Sequence, residues 1–253
     1  MNIDRLLNFV SNAGKIILES GGEIYRVEET ISIICKSFDI EEANCFASPT
    51  VVIVSIFIEG KIHTAVKRIS TRGVNLNKVH KINSLSREIY NDRPSIDYCE
   101  NKLKEIDKND SYSFISTLFF AGISTSAFTI LFGGGINDFI CAFIIGILVK
   151  FISVVLCNTN LNDFFINCLC GTVITIAAMI FLKLNIISQI DKLIAGSIML
   201  LVPGLLLTNS LRDILEGQLV SGLTKAGEAL FIGVSTAAGT FFALHIFMLL
   251  GGL

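Results

Sequence analysis

Beyond residue 110 the chain is dominated by long apolar stretches, and these constrain the fold more than any other feature. A helix crossing a hydrocarbon core about 30 Å thick needs roughly 20 mostly apolar residues. Five stretches meet that requirement, at about 112–133, 139–157, 164–183, 190–208 and 228–250. The breaks between them are polar and turn-rich: Gly133-Gly134-Gly135 with Asn137-Asp138, Asn158-Thr159-Asn160 with Asn162-Asp163, Lys183 to Lys192, and Asn209 to Glu228. Charge follows the same division. Fifteen of the 20 Lys and Arg and sixteen of the 22 Asp and Glu lie at or before Asp110. The expected fold is an α-helical integral membrane protein. A small cytosolic α/β domain over residues 1–110 precedes a transmembrane domain of five helices over residues 111–253. Net charge −2 and a pI near 5.9 offer no basic surface to displace counterions from phosphates. The lipid bilayer is therefore an expected partner and nucleic acid is not.

Lys102, Lys104 and Lys108 precede the first stretch, and Arg212 and Lys225 sit in the last break. An odd number of crossings puts these five on one side and Lys183 and Lys192 on the other, which marks the first side as cytosolic. Met1 to Ser20 is interrupted by Asp4, Arg5, Lys15 and Glu19, so no signal peptide is expected there. The seven cysteines form no CxxC and no His/Cys cluster. Reduced, buried thiols follow, and neither a metal nor a cofactor is expected.

The front part reads as helix, helix, hairpin, helix, helix. Ile3, Leu6, Leu7, Val10, Ile17 and Leu18 form a helical stripe that stops at Gly21-Gly22, and Ile24 to Phe38 repeats the pattern. In FASPTVVIVSIFIEGKIHTAVKRI (46–69) the period changes: Val51 to Ile58 and Ile62 to Ile69 read as strands around a turn at Glu59-Gly60-Lys61. Helical spacing returns from Val74 to Ile89, breaks at Asn91-Asp92-Arg93-Pro94, and resumes toward Lys108. His63 and His80 are isolated, and no nucleophile–base set or phosphate-binding loop is present. Glu23, Arg26, Glu28 and Glu29 cluster on one helix, either as a solvated face or as a docking interface.

The residues that suggest chemistry lie in the membrane part. Pro203-Gly204 falls inside the fourth stretch, where proline removes a backbone donor and clashes with the preceding turn. If the helix breaks there, the second half-helix begins within the membrane, and its free N–H groups suit a carboxylate. Thr208, Asn209, Arg212 and Asp213 follow within the next turns; a kink that serves only packing is the alternative. Lys150, the one charge well inside the second stretch, either counters an anionic substrate or extends to the interface. Glu228 and His245 are proton-relay candidates, or else an interfacial carboxylate and a headgroup-facing imidazole. Gly122/Ser126, Gly233/Ala237 and Ser235/Gly239 provide small residues four apart for close helix contacts.

Three segments carry a resemblance: ESGGEIYRVEETI (19–31), the hairpin running into STRGVNLNKVHKI (70–82), and LLVPGLLLTNSLRDILEGQLVSGLTKAGEAL (200–230). Together they resemble the threonine/serine exporter family, in its two-component branch. The resemblance implies a large subunit with a cytosolic N-terminal domain and five spans in a bacterial cytoplasmic membrane, partnered by a small membrane subunit. It leaves room for a higher oligomer. Single-chain members carry both membrane halves, so a chain ending at Leu253 after one half implies that partner. Members export threonine and serine, and the two-component kind also C4 dicarboxylates such as succinate. Every such substrate bears a carboxylate. The expected function is a secondary transporter subunit, and the alternative is a membrane-anchored cytosolic enzyme or a regulatory or scaffold protein.

Overall fold

The structure, a computed structural model, describes residues 3–108, 112–157, 159, 161–187 and 189–249. Asn158 and Asn160 of the second break, Leu250 of the last stretch and the expected domain boundary at 109–111 lie outside the described residues. The elements in chain order are α1 (Ile3–Glu19), α2 (Ile24–Ser37), β1 (Ala43–Ser48), β2 (Val51–Ile58), β3 (Lys61–Arg68), α3 (Leu76–Asp92) and α4 (Ile96–Lys108). They continue with α5 (Phe114–Leu131), α6 (Ile136–Cys157), α7 (Asp163–Lys183), α8 (Ile190–Ile198), α9 (Gly204–Leu215) and α10 (Leu219–Leu249). These elements group into two compact units, Met1–Ser111 with Leu205–Gly227, and Tyr112–Gly204 with Glu228–Leu253.

In the first unit an antiparallel sheet of order β1-β2-β3 packs on α1 and α2. Alternation in β2 turns Val52, Val54 and Ile56 into the core, against Leu6, Val10 and Ile17 of α1 and Val27, Ile31 and Ile34 of α2. Each such side chain, once buried, contributes about 1.5–3 kcal/mol. The β2–β3 hairpin closes at Glu59 (φ 50°) and Gly60 (φ 76°), two left-handed residues whose twist matches that of the strands. β1 joins as a third strand, with Cys45 opposite Val54 and Ala47 opposite Val52. The α3–α4 pair closes the other side of the core with Ile82, Ile89, Cys99 and Leu103. Arg5 of α1 bonds Asp97 and Glu100 of α4, and those carboxylates hold its guanidinium pKa well above the usual value.

The second unit is built the opposite way round. Large apolar side chains such as Phe120, Phe165, Phe241 and Phe242 point outward, while Thr125, Ser126, Thr129, Gly146, Gly171, Thr175, Gly196 and Ser197 are buried. Such an interior suits helices in lipid, where close backbone approach and interhelical hydrogen bonds drive packing. Thr125 Oγ1 donates to the Ala142 carbonyl (2.8 Å) and Ser126 Oγ to the Phe139 carbonyl (2.8 Å), which joins α5 to α6. Thr172 Oγ1 donates to the Gly239 carbonyl (3.1 Å), linking α7 to α10. Among the small-residue pairs read from the sequence, Gly122 lies beneath Phe143 and Gly239 against the Cys168 carbonyl, whereas Gly233 faces open space.

Among the described residues four helices are long and apolar enough to cross a membrane: α5, α6, α7 and α10. The stretch 190–208 is not one continuous helix. Its first part, α8, has nine residues, roughly 14 Å at 1.5 Å per residue and about half of a hydrocarbon core. Its second part, α9, clusters from Leu205 onward with the α/β elements. The last helix begins at Leu219, nine residues before the apolar stretch that predicts it. The close α5–α6 packing makes a direct prediction. A Cβ at Gly146 would collide with Thr125 Oγ1 and lie 2.8 Å from the Ala121 carbonyl. Gly146→Ala is therefore expected to cost about 1–3 kcal/mol and to lower the melting temperature of the detergent-solubilised protein, while Gly233→Ala leaves it unchanged.

Candidate substrate and coupling site

The segment read from the sequence as a candidate substrate site is interrupted in the structure. α8 ends in a tight turn, with Leu200 N–H donating to the Ser197 carbonyl (3.3 Å) and Leu201 N–H to that of Ile198 (2.8 Å). Pro203, half-buried, cannot continue the ladder, and α9 starts at Gly204. Gly204 is exposed, and a Cβ there would meet nothing within 4 Å. The Gly204 N–H at the start of α9 donates to the Val202 carbonyl (2.9 Å). Thr208 is exposed, and its hydroxyl donates to the Leu205 carbonyl (3.0 Å).

Further along α9 the polar side chains are engaged by the α/β part of their own unit. Gly21, left-handed at φ 83°, ends α1 and turns its carbonyl toward Asn209, whose Nδ2 donates to it at 2.9 Å. Asp213 is fully buried; its Oδ2 accepts from Lys225 Nζ of α10 at 2.6 Å, and its Oδ1 accepts from Ile24 N–H at 3.4 Å. The carboxylate thus lies at the N-terminus of α2, where the helix dipole favours it. Arg212 pairs with Glu23, which also accepts from Arg26 at 2.8 Å. Burial pushes the Glu23 carboxyl up, but the two guanidiniums outweigh it and hold its pKa below the usual carboxylate range. Glu28 accepts from Gln218 Nε2 (3.3 Å), and burial, helped by the Asp213 charge, raises its pKa. The Glu23/Arg26/Glu28 face is therefore a docking surface, and it holds residues 205–227.

The structure thus brings Asn209, Arg212 and Asp213 together around the α2 N-terminus. The other predicted site residues are dispersed. Lys150 is half-buried on α6, and Glu228 is half-buried on α10. His245 is exposed with its ring stacked on Phe241 at a centroid distance of 5.8 Å. Sequence reasoning treated Lys225 and Gln218 as loop residues. The signal for them was the small-residue run Ser221-Gly222, which lets the start of α10 press on α9: Ser210 Oγ donates to the Gly222 carbonyl (3.0 Å). Among the described residues no group of three or more His, Cys, Asp or Glu is placed to hold a metal.

The family model described as "Putative threonine/serine exporter" matches residues 8–247. The chain belongs to that family. It is similar to a "Probable succinate transporter subunit YjjP" of Escherichia coli strain K12, with 24% identity over 94% of this chain and 93% of the relative. It is also similar to the protein of the same description from Klebsiella aerogenes, with 23% identity over 93% and 91% of the two chains. No solved structure matches. Membership of the exporter family makes the protein a multi-pass membrane transporter rather than an enzyme, and its relatives are named as subunits.

The buried pair gives a stability prediction for this exporter. Lys225→Met strands the Asp213 charge and is expected to cost about 3–5 kcal/mol; Asp213→Asn combined with Lys225→Met recovers most of it in thermal melts. The two glutamates differ in sign with pH. The Glu23 contribution is present above the ordinary glutamate pKa and is lost as pH falls through its lowered folded value. That of Glu28 is present below the ordinary value and is lost as pH rises through its raised one. Melting temperatures followed from acid to neutral pH should therefore lose part of their acid limb in Glu23→Gln. In Glu28→Gln they should lose part of their decline on the neutral side.

Proposed function

We propose that this chain is the large subunit of a two-component secondary transporter. It exports small carboxylate-bearing metabolites, threonine and serine or C4 dicarboxylates such as succinate, across the bacterial cytoplasmic membrane, together with a small membrane subunit. The observation that carries the proposal is the interruption between α8 and α9. In a spanning segment, irregular backbone is tolerated where it lines a cavity, and half-helix N-termini in transporters point at anionic groups. In this reading α8, the Pro203-Gly204 break and α9 make the fourth of five crossings. The carboxylate is then favoured by the positive dipole end at the start of α9. Asn209, Arg212 and Asp213 fix the pitch of α9 by anchoring it to the α/β domain.

The basic residues support a cytosolic α/β domain. So does the contact of Lys192 Nζ with the Gly133 carbonyl (3.0 Å), which puts the α5–α6 turn and the start of α8 at one end of their unit. The names of the relatives support both a C4 dicarboxylate and a partner subunit. Lys150 supplies a cation on α6 for an anionic substrate, so Lys150→Met should raise the apparent Km for succinate and leave that for threonine unchanged.

Reconstitution tests the proposal. Proteoliposomes holding this chain with the small subunit should exchange at least one of labelled threonine, serine and succinate in counterflow. Pro203→Ala should cut that exchange at least tenfold with assembly intact. Exchange by this chain alone would overturn the two-component reading, and no exchange of any of the three by the pair would overturn the substrate class.

A further inference from the structure

The sheet of the α/β part has one face on α1 and α2 and leaves the other uncovered. On that outer face Phe46, Ile53 and Val66 stand side by side across the three strands, and Phe57 stands beside Ile62 next to the hairpin. Phe46, Phe57, Ile62 and Val66 are between 45% and 73% exposed, whereas Val52, Val54 and Ile56 on the reverse face are at most 1% exposed. Between the two apolar rows the Ser55 and Thr64 hydroxyls bond each other (2.8 Å), so this polar strip carries a hydrogen bond of its own. The Phe57 N–H donates to the Glu42 carbonyl (3.0 Å), which extends the hairpin-end row to Glu42. At the other end of the face Arg68 stands opposite Val51.

Contiguous large apolar side chains of this kind mark an interaction surface, unlike apolar residues scattered singly. Lys61, Lys67 and Arg68 line β3 and discourage strand addition at its edge, which leaves the face. Charge selects the occupant. The hairpin end carries Glu41, Glu42 and Glu59 against Lys61, while the opposite end presents Arg68; all are exposed. Among the described residues Glu42, Glu59 and Arg68 take part in no ion pair within the chain. A two-fold axis running across the strands reverses their direction, so the Arg68 end of one copy meets the acidic hairpin end of the other. One operation matches both ends, as an isologous contact requires. An anionic membrane surface would attract Arg68 but repel the three glutamates.

We propose that this face binds a second copy of the chain, two sheets packing face to face about a two-fold axis. The apolar rows form the centre of the contact, as in a β-sandwich, and the Ser55–Thr64 pairs enter it already bonded. Arg68 of each copy lies at the rim against Glu42 of the other, where charges fix register and exclude wrong pairings more than they add affinity. The face measures three strands by eight residues, roughly 14 by 26 Å. That is a small footprint for a specific interface, so the dimer is a reversible one. The inference goes beyond the transport reading, because it concerns assembly and needs no substrate.

Energy transfer between donor- and acceptor-labelled copies of the full chain, reconstituted together in liposomes, tests this without any transport assay. Wild type should show transfer that rises with the protein-to-lipid ratio as a dimer does. Val66→Asp puts an unpaired charge in the middle of the contact and should weaken association roughly tenfold or more. Its melting temperature should stay at the wild-type value, because Val66 is exposed in the single chain. Arg68→Glu should weaken association as well, and Arg68→Glu combined with Glu42→Arg should restore it, since the reversal re-forms both rim pairs. A wild-type chain that stays monomeric would overturn the proposal and leave the face to the small subunit or the bilayer. A dimer indifferent to Val66→Asp would overturn it too, because the copies would then be joined elsewhere. Failure of the double reversal to restore association would overturn the two-fold arrangement.

Discussion

A proline inside an apolar helix removes a hydrogen-bond donor where no water can take its place, and the middle of this chain is organised around that constraint. α8 stops short of Pro203 with a tight turn that uses the Ser197 and Ile198 carbonyls, and α9 restarts at Gly204. The restart changes the character of the segment. α9 buries Asn209, Ser210 and Asp213 on one face and leaves Leu207, Leu211 and Leu215 on another, an amphipathic pattern unlike the uniformly apolar helices before it. A segment with the hydropathy of a span is thereby divided between the two units.

Buried charge is handled in two ways. At the α2 N-terminus every carboxylate has a named partner: Asp213 has Lys225 and a helix N–H, and Glu23 has two arginines. Ion pairs so enclosed stabilise little relative to apolar packing, but they are strongly selective for one arrangement because a misplaced partner leaves a stranded charge. That selectivity suits the join between α9 and the α/β elements. In the second unit several buried hydroxyls donate to backbone carbonyls, whereas Asp138 Oδ1 and the Ser197 and Thr240 hydroxyls have no partner among the described residues.

Much of the α/β part was legible from period alone. The change to alternation at Val51 located β2 and β3 to within a residue, because strand period and turn residues agree there. β1 was missed, since Ala43–Ser48 carries Asn44 and Cys45 in place of a β-branched run and becomes a strand only by pairing with β2. The start of α10 was read as loop because Ser221, Gly222 and Thr224 are poor helix formers; burial against α9 overrides that propensity. Hydropathy located the break at Pro203 but was blind to where α9 would pack, because that choice depends on Gly21, Glu23 and Glu28, nearly two hundred residues away. Asp138 read as a turn residue after three glycines. Its place three residues beyond Gly135 was the clue that it folds back under the helix.

The glycine contacts of the second unit carry a mechanical consequence. At Gly146 against Thr125 and Gly196 against Thr129, helices approach so closely that only the short threonine side chains stand between the backbones. Such joints do not shear in small steps; they hold or they separate. Joined in this way, α5, α6 and α8 form a single block within their unit.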